Sequence, residues 1–253
     1  MRLRNQVDQE AEFWRNHYKR GDKVGGWFER CLIRLAPFIR PALSDAGDRI
    51  LSSLGDIKGK RICELGCGIG EFTAELVSKG AYVCAVDISG GAVKSARERI
   101  PIEQADIQQA NAASLPYPIA FFDVVVGQNI IHHVDIDRVS TEICRVLKVG
   151  GRAVFIEPLA HNPIFNLYRK LTPSIRTPNE RPLSYHEIRR MGAYFSQVHY
   201  QEFGLVAHFN PIVFLLTHNQ KRATQATKLG ALLLDKCGFL RKYCWGILLE
   251  FTK

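Results

Sequence analysis

No stretch of this 253-residue chain is apolar over a run long enough to span a bilayer. Nor does it open as a secretory signal, since Met1-Arg2-Leu3-Arg4-Asn5 leads into a charged segment instead of an apolar one. These two absences predict a cytoplasmic protein. There is no Cys-x-x-Cys pair. Seven cysteines stand singly along the chain, without the spacing of a zinc site, so no metal is expected. Cys63, Cys67 and Cys84 fall in or beside predicted central strands, where a free cysteine acts as a small apolar side chain. Internal repeats and low-complexity tracts are also missing. What remains is an ordinary globular composition, 46% hydrophobic, with a formal net charge of +9 that suits anionic partners or simply a basic solvated surface. At this length the chain forms one large domain or two small ones, and its regular strand–helix alternation favours one, residues 1–253.

The stretch that organises the chain is Arg61-Ile62-Cys63-Glu64-Leu65-Gly66-Cys67-Gly68-Ile69-Gly70. A short apolar strand turns on three alternate glycines into an amphipathic segment, and glycines let backbone approach a ligand closely. By itself that pattern is weak evidence. The next strand, Ala81–Val86, ends on Asp87, about 20 residues past the glycines, where a carboxylate would grip a ribose diol. Together they read as an adenosine site.

Further segments follow in order: Val86-Asp87-Ile88-Ser89, Asn111-Ala112-Ala113-Ser114-Leu115-Pro116-Tyr117, Phe122-Asp123-Val124-Val125-Val126, His133-Val134, and Arg145-Val146-Leu147-Lys148-Val149-Gly150-Gly151. With the glycine turn, this series over roughly 60–158 resembles the class I S-adenosylmethionine-dependent methyltransferases. Asn111 stands where that family usually has Asp, and Val149 where it usually has Pro. The resemblance implies an α/β Rossmann-like fold with a seven-stranded, mostly parallel sheet, helices on both faces and the last strand antiparallel. It also implies S-adenosylmethionine as cofactor and S-adenosylhomocysteine as product. Residue by residue, it places Glu64, Gly66, Cys67, Gly68 and Gly70 along the methionine and ribose. It puts Asp87 on the ribose hydroxyls, Ile88 on the adenine face, Asn111 and Ala112 at the adenine edge, and Gln128 beside the cofactor.

Outside this core, residues 1–54 read as a helical leader and 55–160 as the cofactor-binding core. Residues 161–253 read as a substrate-side half with a helical insertion at 211–240. In methyltransferases of this kind a leader often serves as a lid, which makes Tyr18 a candidate substrate contact. Ser184-Tyr185-His186-Glu187 has the form of a capping box opening a helix. In an open α/β sheet the ligand lies outside the carboxyl ends of the strands. Polar residues at those ends are therefore candidates: His133, Glu157 and His161 for catalysis, His132 and Asn162 for substrate contact. Histidine suits a general base near neutral pH if the acceptor is a hydroxyl.

The expected function is methyl transfer to a small molecule, anionic or lipid-soluble, with oxygen as the favoured acceptor atom. N- or C-methylation of a small or lipid-soluble metabolite is an alternative. An RNA methyltransferase is another, but there is no appended RNA-binding module and no Asn/Asp-Pro-Pro-Tyr/Phe after strand four, so no nucleic-acid partner is expected. A non-enzymatic adenosyl-binding or membrane-surface protein is the third, the basic residues around 211–240 suiting peripheral lipid contact. Monomer and homodimer are both open.

Overall fold

The computed structural model describes residues 8–14, 40–177, 180–205, 234 and 236–253. Tyr18 and most of the expected 211–240 insertion lie outside the described residues. Seven strands form one sheet: Arg61–Leu65 (β1), Tyr82–Asp87 (β2), Ala105–Gln109 (β3), Phe122–Gln128 (β4), Leu147–Pro158 (β5), Gln197–Phe203 (β6) and Gly246–Thr252 (β7). Their order is β3-β2-β1-β4-β5-β7-β6. Neighbours from β3 to β5 pair in parallel, while β7 runs antiparallel to both β5 and β6. This is the sheet the sequence predicts, with its reversal of strand order at β1 and β4.

Side chains of the central strands alternate between two cores. In β5, Ala153 and Phe155 pack into one, and Val154 and Ile156 into the other. Helices Arg40–Leu54 (α1), Glu71–Ser78 (α2) and Gly90–Arg99 (α3) cover the second core with Ile50, Leu54, Leu76, Val93 and Ala96. Ile136–Val146 (α4) and Tyr185–Gly192 (α6) cover the first with Val139, Ile143, Val146, Ile188 and Met191. Burial of Ile136, Val139, Ser140, Ile143 and Val146 follows a helical period, so α4 offers one stripe to the sheet.

Local chemistry sets the helix starts. Asp135 caps α4 by accepting from the Arg138 amide. Ser184 and Glu187 form the predicted capping box of α6. One expectation shifts. Strand five begins at Leu147, not Arg152, because Leu147 pairs with Phe122 ahead of an irregularity in the ladder. Residues read as a turn are thereby drawn into the strand, with Val149 91% exposed and Gly150 at φ +73°. Residues Pro163–Leu171 form a helix (α5), launched by Asn162, whose Oδ1 accepts from the Phe165 amide. Among the described residues no helix is long and apolar enough to cross a membrane.

Candidate active site

A cavity of about 220 Å³ opens at the carboxyl ends of β1 to β4, where the strand order reverses. Gly66 follows β1, Asp87 ends β2, Asn111 and Ala112 follow β3, and Gln128 ends β4; all of them, with Ile88, line it.

The glycine turn is held in shape from below. The amides of Gly66 and Cys67 both donate to the Val86 carbonyl, at 2.8 and 3.1 Å. Gly66 sits at φ +71°, and a Cβ there would stand 3.0 Å from Ile130 Cδ1. Only glycine lets the backbone lie this close to the cavity wall. Gly70, at φ +82°, starts α2, and a Cβ would meet Ala96 Cβ at 3.0 Å. Its role is to pack α2 against α3. Of the turn's residues, Gly66 alone is among those lining the cavity. Cys67 is buried in the core and Gly68 faces Asp87.

Asp87 accepts from the amides of Gly68 at 2.9 Å and Ser89 at 2.8 Å. Burial pushes its carboxyl above the ordinary range, and those amides pull it back. Glu64 lies lower, buried beneath the turn and outside the cavity lining. The Thr73 hydroxyl donates to its Oε2 at 2.6 Å. Burial raises it to about 7, against the Thr73 hydrogen bond and with a push from Asp87.

The polar residues expected as catalysts separate sharply. His133 lines the cavity. Glu157 does not: it is fully buried, and Oε1 accepts from the Ile130 and Ile131 amides at 2.9 and 2.8 Å. Its Oε2 lies 2.6 Å from His132 Nδ1. A carboxylate oxygen accepts, so that nitrogen carries the proton. Glu157 thus ties the loop after β4 to β5, and His132 is part of the tie. His161 is exposed and stacks on Tyr185, ring centroids 5.9 Å apart, away from the cavity. Asn162 is spent on capping α5 and on donating to the Tyr243 carbonyl at 2.6 Å. Geometry therefore gives neither of the last two a place at the cavity.

Sequence reading missed Glu10 and Trp14, which reach the cavity from helical residues 8–14. Glu10 Oε2 lies 3.5 Å from His133 Nδ1, and the Trp14 ring meets the His133 ring edge to face at 5.7 Å. Thr177 Oγ1 lies 3.3 Å from the same histidine nitrogen. Asp8, Glu10 and Glu12 sit within five residues of each other, and no spacing marks Glu10 as the buried one.

One grouping among the described residues has metal-like proximity, His132, His133 and Glu180, with donor atoms within 4.8 Å of one another. Glu180 Oε1 is already gripped by the guanidinium groups of Arg169 and Arg176, and His132 by Glu157. A carboxylate neutralised by two arginines is a poor metal ligand, and these pairs are better read as holding Arg176 and Glu180 against Arg169.

Residues 63–155 match the family model described as a methyltransferase domain. A demethylmenaquinone methyltransferase from Lactococcus lactis is 33% identical over 129 residues, 48% of this chain and 50% of that protein. An O-methyltransferase from Penicillium expansum is 31% identical over 127 residues, 46% of each chain. The chain thus spans about half the length of these curated relatives. A solved phosphoethanolamine N-methyltransferase 2 from Haemonchus contortus, in complex with S-adenosyl-L-methionine, superposes with a TM-score of 0.58 at 20% identity. That superposition covers 83% of this chain and 52% of the other. Fold, glycine turn and family match converge: over residues 63–155 the chain carries a methyltransferase domain, set in the seven-stranded fold of the class I S-adenosylmethionine-dependent methyltransferases.

Proposed function

We propose that this protein transfers a methyl group from S-adenosylmethionine to a hydroxyl of a small, largely apolar acceptor. The observation that carries this reading is the placing of His133 on the wall of the same cavity that Gly66, Asp87 and Asn111 line. The residues present fit the cofactor, since the close approach of backbone at Gly66 leaves room and Asp87 offers its carboxylate at the ribose position. When bound, the cofactor supplies a methyl carbon made electrophilic by its positive sulfonium. Asp87 takes the ribose hydroxyls, Asn111 and Ala112 meet the adenine edge, and Ile88 packs on its face. Ile130 and Val134 wall the cavity with apolar surface and keep water out. His133 would accept the acceptor's hydroxyl proton while the oxygen bonds in line to the methyl carbon, whose bond to sulfur breaks to leave the neutral thioether S-adenosylhomocysteine.

Two carboxylates on the wall, Glu10 and Asp87, favour a neutral acceptor over an anionic one. A ring carbon of a phenol or quinol is the second reading. The demethylmenaquinone methyltransferase relative and the apolar walls favour it, and it needs a proton acceptor as well.

Two titrations test the proposal. S-adenosylhomocysteine should bind the wild type, and Asp87→Ala should weaken it about 10- to 100-fold, the worth of charge-assisted hydrogen bonds. His133→Ala should leave that affinity within a few-fold. It should also lower methyl transfer to a panel of phenols and quinols about 100-fold or more. Absence of binding by the wild type would sink the reading. Undiminished transfer by His133→Ala would remove the base from it.

A further inference from the structure

Glu10 is 5% exposed, and among the described residues neither carboxylate oxygen has a hydrogen-bond partner. Among the described residues its closest polar neighbour is His133, whose Nδ1 stands 3.5 Å from Oε2 without hydrogen-bond geometry and lies 3.3 Å from Thr177 Oγ1. A buried carboxylate left so is costly, and folded proteins rarely keep one unless something else supplies the donors. Glu10 lines the cavity, so the missing donors belong to what enters it. The other carboxylate on that wall, Asp87, already receives two backbone amides, whereas Glu10 receives none.

We propose that Glu10 binds the α-ammonium of the methionine part of S-adenosylmethionine. The inference rests on the cofactor reading above. The cofactor carries two positive centres. A sulfonium has charge but no N–H or O–H, so it leaves both Glu10 oxygens without donors. An ammonium brings three donors and charge together. The lining agrees. Gly66, which the family resemblance places along the methionine and ribose, and Gln128, which it places beside the cofactor, line the same cavity as Glu10. Glu10 thereby makes the segment 8–14 part of the cofactor site.

Calorimetric titration of the full chain separates the possibilities. S-adenosylhomocysteine keeps the ammonium and lacks the sulfonium, and 5′-methylthioadenosine lacks both. Glu10→Gln should weaken S-adenosylhomocysteine at least about 10-fold, as expected for a lost charge-assisted hydrogen bond. It should leave 5′-methylthioadenosine within about two-fold, followed by NMR shifts where heat is too small. Glu10→Asp should fall between. Equal weakening of both nucleosides would make Glu10 a structural residue and overturn the proposal. Weakening of S-adenosylmethionine alone would reassign it to the sulfonium. Unchanged affinities for all three would remove it from the cofactor site. Failure of the wild type to bind either nucleoside would instead strike at the cofactor reading itself.

Discussion

Glu157→Ala is expected to destabilise the protein by about 4 kcal/mol or more, the largest effect of any single change at this site. The side chain is wholly buried at the end of β5, and three donors converge on it: the Ile130 amide, the Ile131 amide and His132 Nδ1. Alanine leaves all three unpaired, at about 1–3 kcal/mol each, and adds a cavity. Glu157→Gln separates the hydrogen bonds from the charge. The glutamine oxygen keeps both amides, while its amide nitrogen faces His132 Nδ1, which must then give up its proton to Nε2. That variant should lose only about 1 kcal/mol by urea unfolding. It should also show the other His132 tautomer in nitrogen chemical shifts. If alanine and glutamine cost the same small amount, Glu157 does not brace the loop. The brace also bears on function, because the loop it ties includes Ile130 and ends at His133, both on the cavity wall.

How much of this was legible beforehand depends on the range over which each signal acts. The glycine turn, the acid at the tip of β2 and the capping box of α6 are local chemistry, so the turn at Gly66, the strand end at Asp87 and the cap at Ser184 were legible from neighbours a few residues away. The continuous Val124-Val125-Val126 run and the stripe on α4 gave strand and helix by periodicity. The polar residues at the ends of β4 and β5 were ambiguous. A histidine or glutamate at a strand tip looks the same in sequence whether it lines the cavity, as His133 does, or holds a neighbouring loop, as Glu157 does. Asn162 followed by Pro163 was a helix start hidden in a motif that also suited substrate contact. Glu10 was the least legible, because only the docking of 8–14 onto the strand tips decides which acid is buried. Leu147 joined β5 through pairing with Phe122, a contact 25 residues distant that no turn rule sees.

Glu64 carries the second large prediction, a pH dependence with a defined sign. The buried carboxyl is raised from 4.5 to about 7, chiefly by burial, with the Thr73 hydrogen bond opposing and Asp87 adding. In the unfolded chain it returns to its ordinary value. Between these two pH values the folded protein holds a proton that the unfolded chain has lost. Stability is therefore fully present below about pH 4.5 and falls as pH rises towards 7. Above 7 the loss is complete, and a shift of this size amounts to about 3 kcal/mol. Glu64→Gln cannot ionise and keeps an oxygen to accept from Thr73. Against the wild type, the variant should therefore gain stability as pH goes from 5 to 8, the difference in urea unfolding free energy widening by about 3 kcal/mol. Parallel curves over that range would show that Glu64 is not strained by its burial. The same change tests where the residue works. Because Glu64 lies under the turn and not on the cavity wall, Glu64→Gln should shift S-adenosylhomocysteine affinity far less than Asp87→Ala. An equal loss would place Glu64 at the ligand after all.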